Sequence, residues 1–361
     1  MADAGLPLFR AHPILARHLP RQPFLESATP VEPLPLAGAA PGALYVKRDD
    51  RSCPLYGGNK PRKLEFVIGR ALARGSRLLV TTGGLGTNHG LATTILGRSV
   101  GLRTALVLVD QPATETVRET LRLQCAYGAE QIAARNVAGA AAVVAALLAR
   151  ATLRGDRPTL VPTGGSSALG DVGFVSAAFE LAEQIRAGAL PEPQTIVVPI
   201  GSGGSVAGLV LGLRLAGLES RVLGVLVTDI LPPSPARLAR AARATLALLR
   251  GADPSIPAAR FGARDFPVVR DQLGAGYGAP TPAALEAVRE AASLGIRLET
   301  TYTGKALAEI RARIDRGALG AGPTLFWNTY NGIDVAKAAP GNIGETALPA
   351  AIRRALSRCT V

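Results

Sequence analysis

The segment 195–213, TIVVPI-GSGGS-VAGLVLGL, reads without a break as a buried strand, a glycine turn and an apolar helix. A strand that feeds a helix through so short a turn is a βα unit, and units of this kind pair their strands in parallel. The same order recurs upstream. RLLVTTGG leads through GLGTNH to the helical GLATTILGRSVG, and TALVLVD leads to VRETLRLQCAYGAE. Strands that alternate with helices in this way imply an α/β fold of doubly wound, mostly parallel sheets. At 361 residues the chain exceeds a single core, so two such domains are expected. A Pro-rich, irregular stretch precedes residue 43, and the Gly/Ser-rich stretch 164–173 is the expected hinge.

Composition narrows the class. Hydrophobic residues make up 48% and charged residues 19%, enough apolar surface for large cores and too little charge for disorder. No apolar run reaches the ~18–20 residues of a membrane span, and the N-terminus lacks the basic-then-apolar pattern of a signal peptide; a cytoplasmic protein with no membrane partner is expected. The net charge of +13 invites a nucleic-acid reading, but the arginines are dispersed and aromatics are only 4%, leaving few platforms for bases. The positive field instead favours small anions such as phosphates and carboxylates. Cys53, Cys125 and Cys359 are too far apart for a disulfide framework or a zinc site, and no metal-ligand cluster is visible.

The chemistry is concentrated in a few short segments. GGNKPRKLE, 57–65, sets Lys60 directly after two glycines and Asn59. Only five lysines occur against thirty-five arginines, so lysine marks places where arginine does not serve. One such place is imine formation with an aldehyde, which a guanidinium cannot perform. Gly201, Ser202, Gly203, Gly204 and Ser205 form a turn whose amides, with a helix N-terminus, suit a phosphate. The P-loop pattern is absent, and the glycine spacing is off for a dinucleotide fold, although Asp229 ends the next strand as that reading requires. TTGGLGTNHG places Thr87, Asn88 and His89 at a second helix start, where they suit a carboxylate; Thr87 also reads as a plain helix cap. Tyr302 opens YTGKA, and WNTYNG follows an apolar strand. Asp49 and Asp50 are a strand-end turn or a charge pair that orients Lys60.

Taken in order, LYVKRDD, GGNKPRKLE, GGLGTNH, RETLRLQCAYGAE, PTGGSSALGDVGF, GSGGSVAGL, YTGKA and LFWNT resemble the pyridoxal phosphate enzymes of the D-cysteine desulfhydrase and 1-aminocyclopropane-1-carboxylate deaminase family. The resemblance covers about Ala43 to Asn331 and implies the tryptophan synthase β-subunit-like fold, fold type II among pyridoxal phosphate enzymes. It implies a large cofactor-binding domain of residues 1–60 and 170–361, and a small mobile substrate domain of residues 61–169. By position it makes Lys60 the Schiff-base lysine beside Asn59, puts Asn88 by the cofactor ring, and gives the phosphate to Gly201, Ser202, Gly203, Gly204 and Ser205. Thr329 falls beside the pyridine nitrogen. Thr87, Asn88, His89, Tyr302 and Tyr330 fall on the substrate side, with Thr87 and Tyr302 catalytic. In the deaminase branch a second tyrosine takes the position of Phe326, which favours a desulfhydrase-like lyase here. Two departures stand out: Gly86 replaces a glutamine, which opens space, and Tyr330-Asn331 replaces a glycine pair.

The resemblance therefore implies pyridoxal 5'-phosphate as cofactor and a homodimer that performs α,β-elimination on a small amino acid, with Lys60 taking the α-proton. Deamination, β-replacement and racemisation use the same groups. A nicotinamide oxidoreductase built on the glycine turn and Asp229, and a cofactor-binding protein without catalysis, are the rivals from other classes.

Overall fold

The alternation seen in the sequence appears in the computed structural model as two parallel sheets. The structure describes residues 5–341 and 343–359. Among these, ten strands and twelve α-helices are numbered along the chain. The chain divides into two compact units, Met1–Phe66 with Ser166–Gly332 and Val67–Gly165 with Ile333–Val361.

The first unit carries six strands: β1 (Val31–Pro33), β2 (Leu44–Lys47), β7 (Thr195–Ile200), β8 (Arg221–Leu226), β9 (Val268–Val269) and β10 (Thr324–Trp327). Their order is β1-β2-β10-β7-β8-β9, and all neighbours are parallel except β1 with β2. Period-2 alternation sorts side chains to the two faces. Ile196, Val198, Ile200, Leu325 and Trp327 join one core with α1 (Pro7–Ala11), α7 (Val172–Arg186), α8 (Gly204–Leu215) and α9 (Pro235–Ala252). Val197, Val225 and Phe326 join the opposite core with α10 (Pro282–Ser293) and α11 (Thr303–Asp315). Helix α2 (Leu15–His18) adds Leu15 to the first core. The sequence order reverses between β7 and β10, and in such sheets the carboxyl ends at the reversal are where ligands bind.

Helix α3 (Asn59–Ala73) begins in the first unit, with Arg62 almost wholly buried. Its guanidinium donates to Asp49 at 2.7 and 2.9 Å, to Glu180 at 2.9 and 3.0 Å and to Thr29 at 3.0 Å. Lys47 donates to Glu180 at 2.5 Å, and the Trp327 indole donates to Asp49 at 2.7 Å. Asp50 is held by Arg48 at 2.8 and 3.0 Å. The two aspartates therefore serve Arg62 and Arg48 and do not orient Lys60 directly.

The second unit is a parallel sheet in the order β5-β4-β3-β6, from β3 (Leu78–Gly84), β4 (Arg103–Val109), β5 (Glu130–Ala134) and β6 (Thr159–Leu160). Val80, Ala105 and Val107 pack on α6 (Val137–Leu153). Leu106 and Leu108 pack with α5 (Glu115–Ala126) and α12 (Ala350–Arg358) on the other face. Helix α4 (Asn88–Ser99) is capped by Thr87, whose hydroxyl accepts from the Gly90 amide.

The observed division departs from the sequence reading in two ways. The first crossing falls inside α3, after Phe66, because the helix continues past Lys60. Residues 333–361 join the second unit, because α12 buries Ile352, Ala355 and Leu356 against Leu106 and Leu121. The Arg358–Asp110 pair at 3.1 Å and the Ala113 amide on the Cys359 carbonyl at 2.9 Å tie it there. No helix among the described residues is long and apolar enough to cross a membrane.

Glu180 gives a direct check on the buried network. Burial alone would raise its carboxyl, but Arg62 and Lys47 overcome this and hold it at about 2. A depressed carboxyl contributes stability above the unfolded value near ~4.3 and loses it as pH falls through the folded value. Glu180→Ala leaves Arg62 and Lys47 short of a counter-charge and is expected to cost about 3–5 kcal/mol in urea unfolding at pH 7. The difference from wild type should shrink between about pH 4 and pH 2; an unchanged midpoint at pH 7 would show that the network is dispensable.

Candidate active site

Asn59 is the centre of the cluster in the first unit. Its amide donates to the Thr329 carbonyl at 3.2 Å, which fixes the start of α3 to the loop after β10. Its Nδ2 donates to Ser205 Oγ at 3.2 Å, and its Oδ1 accepts from Lys60 Nζ at 2.7 Å. One side chain thus links the lysine to the glycine turn. The approach needs Gly58, which has φ +86°; a Cβ there would lie 2.5 Å from the Thr329 carbonyl oxygen. Asn331 contributes as well, since its Oδ1 accepts from the Gly57 amide at 2.7 Å. The Tyr330-Asn331 departure thus has a structural use on the asparagine side. The Tyr330 ring lies 5.8 Å from the Arg297 guanidinium.

The glycine turn joins β7 to α8. Gly203 holds φ +91° at the helix start, where a β-carbon would also strike Leu238 at 2.4 Å. Gly201 lies against Tyr302, whose Cε1 is 3.0 Å from where a Cβ would sit. Ser202 Oγ is 2.7 Å from Ser166 Oγ. Lysine, asparagine, glycine turn and Tyr302 therefore form one cluster.

Tyr302 has a partner that the sequence reading passed over. Its hydroxyl donates to Tyr277 Oη at 2.9 Å, with the rings edge to face at 5.9 Å. Tyr277 sits in an irregular loop, held by its amide on Asp229 at 2.9 Å and by Lys305, which donates to the Leu273 and Gly276 carbonyls. The cue available in the sequence was the lysine of YTGKA, which Arg elsewhere would have replaced. Phe326, by contrast, packs among Leu44, Val197 and Leu307 in the far core. The second tyrosine beside Tyr302 is Tyr277, and the residue at 326 says nothing about the branch.

Electrostatics follow from burial. Desolvation, helped by the nearby Lys63 charge and opposed by Glu299, brings the Lys60 ammonium down to about 7. Burial likewise raises the phenols of Tyr302 and Tyr277, so both stay protonated at neutral pH. Asp229 is engaged with the Tyr277 amide, not presented as a ribose acceptor.

In the second unit Thr87 Oγ1 accepts from Gly90 at 3.2 Å, and Asn88 is the first residue of α4. His89 is 4% exposed with Nε2 3.0 Å from Thr81 Oγ1. The Thr81 hydroxyl donates to the Val161 carbonyl at 2.7 Å, so the His89 Nε2 is the donor and ties α4 to β3. The space expected beside Gly86 is filled: a Cβ there would lie 2.8 Å from Val117 and 3.2 Å from Gln111 Nε2.

Comparison with known proteins identifies the family and the fold. The family model described as pyridoxal-phosphate dependent enzyme matches residues 23–329. The chain is 35% identical over 326 residues to a D-cysteine desulfhydrase of Salmonella paratyphi A, covering 86% of this chain and 95% of that protein. It is 34% identical to the D-cysteine desulfhydrase of Salmonella typhimurium, covering 86% and 93%. Among solved structures, an ACC deaminase homologue superposes with a TM-score of 0.75 at 28% identity, over 90% of this chain and 94% of that one. A fungal L-serine ammonia-lyase from Rhizomucor miehei, at 20% identity and a TM-score of 0.58 over 88% and 97%, shares the fold.

The lysine environment is open to a direct measurement. In cofactor-free protein, acylation of Lys60 is expected to rise with a midpoint near pH 7, about three units below an ordinary lysine. Competitive labelling with peptide mapping reads this value. A midpoint above about 9 would show an amine that is not desolvated.

Proposed function

We infer the function of this chain from the family to which it belongs, the pyridoxal-phosphate dependent enzymes. Within that family it is a lyase that removes a β-substituent from a small amino acid, D-cysteine or a close analogue, to give a 2-oxo acid, ammonia and the leaving group. The observation that carries the reading is the bond chain from Lys60 through Asn59 to Ser205 at the glycine turn. Its relatives named D-cysteine desulfhydrase support the choice of substrate.

The residues fit the cofactor. A phosphate needs converging amides that can be closely approached, and the turn at Gly201, Ser202, Gly203, Gly204 and Ser205 has no side chain to block them at three of its five positions. An aldehyde needs an unprotonated amine, and Lys60 provides one at neutral pH. Pyridoxal 5'-phosphate supplies an aldehyde for imine formation and a ring that draws electrons from the substrate's α-carbon. The chain's own groups do the rest. Lys60, as a neutral amine, takes the α-proton. Thr329 serves the ring nitrogen, and Asn88 the ring. Thr87, with Asn88 and Tyr330, holds the substrate, while His89 acts by fixing the start of α4. Tyr302, a protonated phenol held by Tyr277, gives its proton to the departing sulfur or oxygen. Of these residues Lys60, the glycine turn, Tyr302, Thr329 and Tyr330 belong to the first unit, and Thr87, Asn88 and His89 to the second. A homodimer, as the family resemblance implies, working in the cytoplasm completes this reading.

Tyr277 favours a second reading. Two phenols in contact beside the turn also suit deamination of a cyclopropane amino acid, of the kind named for the ACC deaminase homologue. Assaying D- and L-cysteine, β-chloroalanine and 1-aminocyclopropane-1-carboxylate side by side separates the two; release of 2-oxo acid from the last alone selects the second. Turnover of none of them would leave a binding protein.

Two outcomes are expected. Borohydride reduction of the pyridoxal phosphate-loaded protein, followed by peptide mapping, should place the adduct on Lys60; an adduct on Lys63 or Lys305 overturns the assignment. Tyr302→Phe should lower turnover by ~10²–10⁴-fold with cofactor still bound. Unchanged turnover would remove Tyr302 from proton transfer.

A further inference from the structure

Asp171 is the residue before α7, a position where an aspartate ordinarily bonds the first free amides of a helix. It makes no such bond. Its side chain is 2% exposed, and its Oδ1 has no hydrogen-bond partner. The carboxylate is turned instead to the first residue of α8. A Cβ built on Gly204 would lie 2.1 Å from Asp171 Oδ1, 2.5 Å from Ser166 Oγ and 2.8 Å from Lys63 Nζ. Lys63 Nζ is 3.8 Å from that carboxylate oxygen and donates to Ser166 Oγ at 2.9 Å. Ser166 Oγ in turn meets Ser202 Oγ, inside the glycine turn, at 2.7 Å. A cation, a carboxylate and two hydroxyls therefore crowd the foot of the turn. A carboxylate is out of place there, because a second anion in the same place is repelled.

We propose that Asp171 is a built-in competitor of the cofactor phosphate: its carboxylate engages Lys63 and weakens the grip of the glycine turn. The proposal rests on the phosphate reading of that turn given above. It implies control by pH. Burial raises the Asp171 carboxyl to about 6, against the opposing pull of Lys63 and the Ser167 backbone. Lys63 on α3 is the charged group that faces it; its charge also lowers Lys60, one turn earlier. From the loop before α7 come Ser166 and Ser167, and from α8 the backbone of Gly204. A phosphate in the turn favours the protonated carboxyl, which frees Lys63 for the anion. Binding should therefore take up a proton above about pH 6.

Asp171→Asn mimics the protonated carboxyl at every pH. The probe is pyridoxine 5'-phosphate, which has no aldehyde and so does not condense with Lys60. Calorimetric titration of wild type and variant from pH 5 to pH 8 gives a ratio of dissociation constants in which the ligand's own phosphate titration cancels. The ratio of wild type to variant is expected near one at pH 5 and about tenfold at pH 8. Wild type should take up more protons than the variant when buffers of different ionisation heat are compared. Asp171→Ser, with melting curves for all three proteins, guards against a misfolded variant and should behave as Asp171→Asn does. A flat ratio, or weaker binding by both variants at pH 8, overturns the proposal while the phosphate site stands. If no protein binds the probe at any pH, the phosphate reading fails, and the proposal falls with it.

Discussion

The contact on which the site depends is the buried Arg62 guanidinium, held between Asp49 and Glu180. Two cations, Arg62 and Lys47, face two carboxylates there, so the cluster is neutral and its desolvation is offset from within. Its value lies in geometry. Asp49 follows β2, Trp327 ends β10, Glu180 lies on α7 and Arg62 on α3, so four elements meet on one set of hydrogen bonds. Arg62 is two residues from Lys60. A planar fork with five donors fixes the rotation of α3 more tightly than apolar packing can, and that rotation decides where the Lys60 amine points.

The scarcity of lysine acquires a structural meaning in the same way. Lys47 and Lys305 are fully buried, Lys63 nearly so, Lys60 is half-buried, and Lys337 is exposed. Lys47 completes the Arg62 cluster, Lys305 binds two carbonyls of the Tyr277 loop, and Lys63 reaches the foot of the glycine turn. Lys60 and Lys63 sit three apart on one helix, close enough for one charge to depress the other. A compact ammonium fits these confined positions, where a guanidinium would not.

Much of this was legible because it is local. A lysine after two glycines and a strand–glycine turn–helix both declare themselves within a few residues, and the parallel sheets follow from alternation. What the sequence hid depends on contacts far along the chain. Tyr277 lies in a loop with no periodicity, and only its hydrogen bond to Tyr302 makes it part of the site. Asp171 stands directly before α7, and only the missing cap bond and the nearness of Gly204 set it apart from an ordinary helix cap. Residues 333–361 follow the first unit in sequence, yet the apolar face of α12 has its match in Leu106 and Leu121. Phe326 is a local case: in the strand TLFW, alternation sends residue 326 away from the face that buries Trp327.

One physical cause sets the resting protonation of both groups. Elimination needs a base at the α-carbon and an acid at the leaving group. Removal from water disfavours whichever form is charged, so it lowers an ammonium and raises a phenol. Lys60 and Tyr302 undergo this shift side by side, each from burial first. The amine is left neutral and able to accept a proton, and the phenol keeps its proton at neutral pH. The neighbouring charges refine this setting. Lys63 pushes the amine further down, and Glu299, whose carboxylate accepts the Tyr302 amide, pulls it partly back while discouraging phenolate. The protonation states of the proposed base and acid are thus set by burial in the cluster and adjusted by two charges.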